Sequence, residues 1–248
     1  MILFGDYHTH TPYSHGKGTI LENAIVAKQK GLKEIAITDH GFGHLACGMK
    51  FKDLEKMRDE IEIAKQKTGI NILLGVEANL ISLDGSIDLS KEQIKLFDII
   101  LMGHHYSAKP KTLPDFFSLM LGNITPFVKD SKTQIQKNTE AIMRAIDKNP
   151  IDILTHMGYG MRVDFLKIAR QAKQAGIYIE LNGKRINFSQ EVFCQMAEEK
   201  VNFVVDSDAH KSENVGECNR AMNMILKNNI DLELVGNVDK LLKLKRER

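Results

Sequence analysis

The feature of this sequence that most constrains its fold is a regular alternation of short apolar runs with longer stretches of amphipathic helical periodicity. The apolar runs are rich in β-branched residues, which is typical of parallel strands that are covered on both faces. The predicted strands are 2–7, 34–38, 71–76, 98–103, 151–155, 177–181 and 202–205. The predicted helices between them are 20–30, 52–68, 90–96, 133–148, 164–175, 190–200 and 214–227. This alternation predicts a parallel α/β protein whose sheet is closed, or nearly closed, into a barrel.

Two segments interrupt the alternation. Residues 80–89, with Asp84-Gly85 at their centre, predict a small hairpin or loop. Residues 109–132 contain Pro110, Pro114 and Pro126, and they predict a long excursion over one barrel mouth, where such loops are often substrate lids. Because 248 residues match the size of about 250 that one α/β barrel needs, we interpret residues 1–248 as one domain.

The charge balance and hydropathy argue against two classes of partner. The chain carries 34 Lys and Arg against 32 Asp and Glu, a net charge of +2, so we expect no obligate nucleic acid partner. No apolar run approaches the roughly 18 residues of a membrane span, and the N-terminal residues become polar too early for a signal peptide. We therefore expect a cytoplasmic protein with no membrane partner, whose oligomeric state the sequence does not indicate.

The cysteines and the C-terminal tail carry weaker signals. Cys47, Cys194 and Cys218 are odd in number, widely spaced and without a CxxC pair. This pattern indicates a reducing compartment and argues against a disulfide framework or a thiolate zinc site. The basic tail 240–248 is expected to form the solvated end of a helix.

The most informative residues are the nine histidines, which lie at the ends of predicted strands or just after them. With the neighbouring carboxylates they are, in chain order, His8, His10, His15, His40, His44, Glu77, His104, His105, His156, Asp208 and His210. The C-terminal ends of parallel strands meet at one face of a barrel, the face where active sites lie. The sequence therefore predicts that these imidazoles and carboxylates meet at one mouth.

Such a cluster favours a metal site. Neutral imidazole is a good ligand for zinc, manganese or iron, and a carboxylate can bridge two ions. Because side chains alternate along an extended chain, His8 and His10 point to the same side and can bind one ion together. Asp208-Ala-His210 repeats this spacing. A single histidine in such a position is as often a strand cap, but the complete set favours metal binding.

The motifs that carry these residues resemble those of the PHP (polymerase and histidinol phosphatase) superfamily. They are Asp6-Tyr-His8-Thr-His10-Thr, Ser14-His15, Ile37-Thr-Asp39-His40-Gly41, Gly75-Val-Glu77-Ala-Asn79 and Asp206-Ser-Asp208-Ala-His210. The chain is most similar to the stand-alone bacterial PHP phosphatases. The resemblance implies a single distorted (β/α)7 barrel that carries three divalent metal ions, which are zinc, manganese or iron.

The resemblance also implies which side chains bind these ions. The three groups of ligands are His8, His10, Glu77 and Asp208; then Glu77 again, as a bridge, with His105 and His156; and finally His15, His40 and His210. The family pattern places the ligand two positions after the small residue that ends the strand. It therefore favours His105 over His104, which would face the opposite side of the strand or the substrate.

The chemistry that this set implies is hydrolysis of a small phosphomonoester by a metal-bound hydroxide. Histidinol phosphate is one candidate substrate, and other sugar or amino-alcohol phosphates are equally open. The candidate catalytic carboxylates are Asp208, Glu77 and Asp39, of which Asp39 either handles protons, supports a histidine N–H or caps the turn after its strand. The cations expected to contact the phosphate are Arg162, Lys184 and Arg185.

Two other functions stay open at this point. One is a 3′–5′ nuclease or phosphodiesterase, as in PHP domains attached to DNA polymerases, whose binding to single-stranded DNA would depend steeply on salt. The other is a metal-stabilised structural or regulatory module without turnover, although purely structural metal sites are usually closed and four-coordinate.

Overall fold

Seven parallel strands form one sheet in which each strand pairs with its neighbours in the sequence. The computed structural model describes residues 1–244. The strands are β1 Gly5–Thr9, β2 Glu34–Ile37, β3 Asn71–Asn79, β4 Ile99–Gly103, β5 Ile153–Leu154, β6 Tyr178–Asn182 and β7 Phe203–Asp206. Almost all strand residues are buried, because helices cover the outer face of the sheet and side chains from the strands pack against each other on the inner face. The predicted α/β barrel is confirmed.

The barrel closes through contacts between the segments around β1 and β7. Ala209, which follows β7, donates its N–H to the carbonyl of His8 and accepts the N–H of His10. Nearer the start of β1, the side-chain amide of Asn237 donates to the carbonyls of Gly5 and Val205. This closure places side chains from the two ends of the chain on neighbouring strands.

Helices surround the sheet. They are α1 Ile20–Gln29, α2 Leu54–Thr68, α3 Lys91–Ile94, α4 Leu113–Asp115, α5 Gly122–Ile124, α6 Lys132–Lys148, α7 Phe165–Ala175, α8 Gln190–Glu198 and α9 Asn219–Lys227. A π-helical stretch, Phe116–Leu121, joins α4 to α5. α2 and α7 end at Gly69 and Gly176, which adopt positive φ angles, as expected for glycines that terminate helices. No helix in residues 1–244 is long and apolar enough to cross a membrane.

The barrel interior is filled by side chains, and the C-terminal segment packs against them. The buried cluster contains Tyr7, Ala36, Leu73, Ile99, Leu101, Ile153, Val204 and Leu242. The Tyr7 hydroxyl donates to Glu34 Oε1 and accepts the N–H of Leu242. The prediction of a solvated helix for the tail is therefore wrong over 240–244, which is not helical and buries Leu242. The remaining tail, 245–248, lies outside the described residues.

Several predicted boundaries differ from the structure, and two of these differences have identifiable reasons. β3 continues past residue 76 to Asn79, because Glu77 and Asn79 are polar but buried and contact other side chains at the barrel mouth. The helix predicted from residue 214 begins at Asn219, because Gly216 has a φ of +73°, which an α-helix does not accommodate. The hairpin predicted at 80–89 is present as an antiparallel bridge between Leu80 and Ile87.

Candidate metal centre

A cavity of about 450 Å³ opens at the C-terminal ends of the strands. Its walls include His15, His40, His44, His105, His156, His210, Glu77, Asp208, Lys184 and Arg185. His8 and His10 are buried beside Glu77 and Asp208. The structure thus brings all nine predicted metal ligands to one mouth of the barrel.

Glu77 lies at the centre of the histidine cluster. Its Oε1 is 2.7 Å from His156 Nε2 and 3.5 Å from His105 Nε2. Its Oε2 is 2.8 Å from His40 Nδ1 and 3.5 Å from His8 Nε2. Burial opposes ionisation of this carboxyl, but the adjacent His105, His8 and His40 more than offset burial and hold its pKa well below the ordinary value. A single ionised carboxylate therefore faces four imidazoles.

The first predicted ligand group is compact. His8 Nε2 and His10 Nε2 are 3.1 Å apart, and Asp208 Oδ1 lies 3.9 Å and 3.5 Å from these two atoms. Their donor atoms are close enough together to hold one ion. Glu77 Oε2 lies 3.7 Å from His10 Nε2, so the fourth predicted ligand is also adjacent. Asp208 has a φ of +53°, a strained backbone conformation of the kind that often accompanies functional sites.

The other two groups are adjacent to the first, through ring contacts of His8 with His156 and of His10 with His15. His15, His40 and His210 form a group with His10, and the rings of His15 and His40 stack with centroids 4.8 Å apart. Burial and the nearby His210 lower the pKa of His15 to about 4, so this imidazole is neutral at pH 7, as a metal ligand must be.

His105 and His156 meet at Glu77 Oε1, with ring centroids 5.2 Å apart. His104 is buried away from the cavity walls, with no hydrogen bond to either ring nitrogen. The structure thus places His105, and not His104, against the cluster.

The side chains fit divalent cations. His40 Nδ1 and Glu77 Oε2 are buried without a hydrogen-bond partner, although they lie 2.8 Å apart. A buried polar atom without a partner costs roughly 1–3 kcal/mol, a cost that coordination to a cation removes. Imidazole and carboxylate donors suit zinc, manganese and iron, which agrees with the ions predicted from the sequence.

Glu180 on β6 contacts two of the predicted ligands, although the predicted set lacks it. Its Oε1 lies 2.6 Å from His8 Nδ1, and its Oε2 accepts the backbone N–H of His156 at 2.5 Å. Because Nδ1 of His8 is engaged, its Nε2 is left to face the cluster. Burial opposes protonation of His8, but the carboxylates of Glu180 and Glu77 offset it and raise the pKa of His8 well above its ordinary value. The signal in the sequence is an acidic residue within the apolar run 177–181.

Two further contacts orient ligands in the same way. Asn79 Oδ1 lies 2.8 Å from His105 Nδ1, and Asp88 holds Asn79 by accepting from its backbone N–H and side-chain amide. The Nδ1 of His210 lies 2.9 Å from the backbone carbonyl of Asp208, which can accept its N–H. In both histidines the remaining Nε2 is available to a cation.

Two predicted site residues lie elsewhere. Asp39 accepts hydrogen bonds from Thr11 and Ser14 and does not line the cavity, so it holds the loop that carries His15 and supports no histidine N–H. Arg162 is two-thirds exposed, pairs with Asp130 at 3.1 Å and is absent from the cavity walls. The prediction for Arg162 assumed that a residue following a strand points into the mouth, but its guanidinium lies at the surface beside Asp130. Asp39 is fully buried, and its carboxylate bonds to the loop after β1.

Lys184 and Arg185 do line the cavity, as predicted. Lys184 Nζ is 3.2 Å from Asp208 Oδ1, and the Arg185 guanidinium lies over the Tyr159 ring at 4.6 Å from its centroid. These contacts hold two cationic groups at the cavity wall, where they can meet an anionic ligand.

The excursion 109–132 does not form the predicted lid. Among the described residues, the cavity walls come from other segments. The excursion instead packs on α6, where the side chains of Asn123 and Asn138 donate hydrogen bonds to each other and Gln134 donates to the carbonyl of Ser118. Its buried amides thus tie it to the outer layer of helices.

Comparisons with known proteins give a consistent picture. The PHP domain model matches residues 6–184. A probable phosphatase of Thermoanaerobacter sp. strain X514 is 33% identical over 96% of this chain and 92% of its own length. A probable phosphatase of Caldanaerobacter subterraneus subsp. tengcongensis is also 33% identical, over 98% of this chain and 91% of its own length. The fold is similar to that of histidinol phosphate phosphatase from Lactococcus lactis, whose structure was solved in complex with zinc, L-histidinol and phosphate. The TM-score is 0.64 and the sequence identity is 12%, and the match covers 93% of this chain and 95% of the other.

Proposed function

The chain belongs to the PHP domain family, and we propose that it is a metal-dependent phosphatase that hydrolyses a small phosphomonoester. The observation that carries this proposal is the position of Glu77, which faces four histidines at the base of an open cavity. An open cavity leaves room for a ligand beside the cations. This supports turnover over a purely structural metal site, which is usually closed.

Three cation positions are proposed from the three groups of side chains. The ligand groups are His8, His10, Glu77 and Asp208; Glu77 with His105 and His156; and His15, His40 and His210. Bound divalent cations, of zinc, manganese or iron, supply an activated water and neutralise charge on phosphate oxygens.

The protein's own side chains have two tasks in this proposal. Glu180 and Asn79 fix the ring orientations of His8 and His105, so that the cation positions exist before substrate binds. Lys184 and Arg185 bind the non-reacting phosphate oxygens and orient the ester in the cavity. Asp208 and Glu77 stay ionised, because neighbouring histidines lower the pKa of both carboxyls despite burial.

The test of this function compares phosphate esters and metals. We expect hydrolysis of p-nitrophenyl phosphate and of small sugar or amino-alcohol phosphates. A chelator should abolish hydrolysis, and zinc, manganese or iron should restore it, because imidazole and carboxylate donors accept all three ions. The measurement is phosphate release against metal concentration, with elemental analysis of the protein. Absence of release from every monoester in protein with verified metal would contradict the proposal.

The same assay separates the nuclease alternative. The cavity carries two basic side chains, Lys184 and Arg185, and not the extended basic track that a phosphate backbone needs. We expect bis-p-nitrophenyl phosphate to be a poor substrate and single-stranded DNA binding to be weak at all salt concentrations. Preferred cleavage of the diester, with steeply salt-dependent DNA binding, would favour a phosphodiesterase.

Arg185 gives a sharper test of substrate binding, because Arg162 is a matched control. Arg185→Ala should lower kcat/KM by about 10- to 100-fold through a higher KM, since a charge-assisted hydrogen bond contributes roughly 1.5–3 kcal/mol. Arg162→Ala, on the exposed surface, should leave kcat/KM unchanged. The measurement is steady-state kinetics with metal content checked in each variant. Equal kcat/KM in both variants would remove Arg185 from the site.

A further inference from the structure

The excursion between β4 and α6 turns large apolar side chains to solvent. They form what we call the apolar face, which consists of Leu113, Phe117, Ile124, Phe127 and Val128. Leu113 is 75% exposed, Phe117 61% and Phe127 92%. The opposite, buried side of the segment carries Leu119 and two polar residues, Asp115 and Asn123. A helix on a protein surface normally turns its apolar side to the core, so the apolar face lacks the cover that it would ordinarily have.

Buried hydrogen bonds fix this orientation of the excursion. Asp115 Oδ1 accepts the backbone N–H of Leu83 at 2.8 Å, and Asp115 Oδ2 accepts the hydroxyl of Thr112 at 2.6 Å. The side-chain amide of Asn138 donates to Asn123 Oδ1 at 2.7 Å. Turning the apolar face inward would leave these buried polar groups unpaired, which is costly. The apolar face therefore stays on the outside, where another molecule can cover it.

The free charges of the excursion are positive. Within residues 1–244, three of its lysines have no carboxylate in salt-bridge contact, namely Lys109, Lys129 and Lys132. Its two acidic residues are already engaged, because Asp115 is buried and Asp130 pairs with Arg162 at 3.1 Å. A second copy of the same face would bring these lysines close together, so like charges oppose self-association through it. A negatively charged surface is attracted instead.

Shape and side-chain chemistry distinguish the possible anionic partners. The apolar side chains project from the protein rather than line a groove, since Phe127 and Leu113 are mostly exposed. Projecting side chains of this kind insert at the boundary between lipid headgroups and acyl chains, where nearby lysines meet anionic headgroups. Leu113, Ile124 and Val128 have no ring on which a base could stack, so single-stranded nucleic acid fits less well. An anionic lipid surface matches both the apolar side chains and the charges.

We propose that the excursion docks on an anionic phospholipid surface, with the apolar face inserted at the headgroup boundary and Lys129 and Lys132 against the headgroups. The sequence predicts no membrane partner because no apolar run is long enough to span a bilayer, but a peripheral contact needs no spanning segment. Tyr106, just before the excursion, lines the cavity, and its hydroxyl lies 3.4 Å from the carbonyl of Asn123. Docking therefore brings the cavity close to the bilayer surface.

Sedimentation with lipid vesicles tests this docking without any turnover, so its result is independent of the proposed phosphatase activity. The vesicles contain phosphatidylcholine alone or phosphatidylcholine with about one-third phosphatidylserine. We expect the unaltered chain to bind the anionic vesicles at least about tenfold more tightly, and raised salt to weaken this binding. Phe117→Ala combined with Phe127→Ala should lower the binding at least about tenfold, because two apolar side chains no longer insert. Ile63→Ala combined with Leu226→Ala removes exposed apolar side chains from α2 and α9 and should change nothing.

The charges are tested in the same assay. Lys129→Gln combined with Lys132→Gln should weaken binding to anionic vesicles by about tenfold, because each lysine near the surface contributes to the attraction. Lys91→Gln combined with Lys95→Gln, a charge-matched pair at α3, should leave the binding unchanged. Circular dichroism checks that each variant is folded.

Sedimentation velocity without lipid tests the second copy as the alternative occupant. The unaltered chain and the variant that lacks Phe117 and Phe127 should have the same oligomeric state. An oligomer that dissociates in this variant would make the apolar face a subunit interface and overturn the proposal. Absence of binding to anionic vesicles, equal binding to both vesicles, or equal loss of binding in the control variants would also overturn it.

Discussion

Replacing Glu77 with alanine should lower kcat for a phosphomonoester by about a thousandfold or more, because bound cations contribute several kcal/mol and each 1.36 kcal/mol is tenfold in rate. The substitution removes the carboxylate that faces His8, His40, His105 and His156 at once. Four imidazoles would then lose the carboxylate that they share, and the proposed bridge between two cation positions would be lost.

The measurement is steady-state kinetics with metal stoichiometry by elemental analysis, and circular dichroism confirms the fold. Glu77→Gln keeps the size of the side chain but removes its charge, so it should lose activity to a similar extent. His8→Ala and Asp208→Ala should also lower activity. Glu62→Ala, on the exposed face of α2, should match the unaltered chain. Near-normal turnover of Glu77→Ala with normal metal content would rule out the multinuclear centre.

The barrel and the position of the site are predictable from the sequence because both depend on local patterns. Strand and helix periodicities are properties of neighbouring residues, and parallel strands place their C-terminal ends at one face. His8 and His10 need only the alternation of an extended chain to reach the same side. These patterns alone predict that the strand-end histidines meet at one mouth, whereas the choice of the nine ligands, which include His15 in the loop after β1, follows from the family resemblance.

Side chains whose direction depends on a loop are not predictable in this way. Arg162 and Arg185 both follow strands, but only Arg185 reaches the cavity, because the segment around Arg162 turns its guanidinium toward Asp130. Asp39 directly precedes His40, yet its carboxylate points to Thr11 and Ser14. Such directions follow from contacts between segments that are distant in sequence.

The supporting contacts of the site are hidden for a related reason. Glu180 looks like one polar residue in an apolar strand, and its partner His8 lies on β1, at the other end of the sequence. Asn237 is similar, because it bonds to Gly5 and Val205 only once the barrel is closed. A buried polar residue does indicate that a partner exists, since an unpaired carboxylate in a strand would be costly. It does not indicate which residue the partner is.

Glu180→Ala should therefore weaken metal binding by about 10- to 100-fold, which is typical when a side chain that orients a metal ligand is removed. The reason is that His8 loses the acceptor at its Nδ1 and can rotate or change tautomer, and the N–H of His156 loses its partner. Glu180→Gln retains a carbonyl oxygen for one of these contacts, so its loss should be smaller. The measurement is a titration of apo-protein with zinc or manganese, followed both by a competing chelator dye and by activity.

If Glu180 acts by positioning His8, its variants should lose metal affinity and recover activity when more metal is added. Excess metal should restore most of kcat in Glu180→Gln, because the cation binds the same ligands once its concentration exceeds the weakened Kd. A purely structural role for Glu180 would lower stability without changing metal affinity, and a direct catalytic role would lower kcat at saturating metal. Glu199→Ala, which removes the surface ion-pair partner of Arg170, should change neither metal affinity nor kcat. Unchanged metal affinity in folded Glu180→Ala would show that His8 keeps its orientation without this carboxylate.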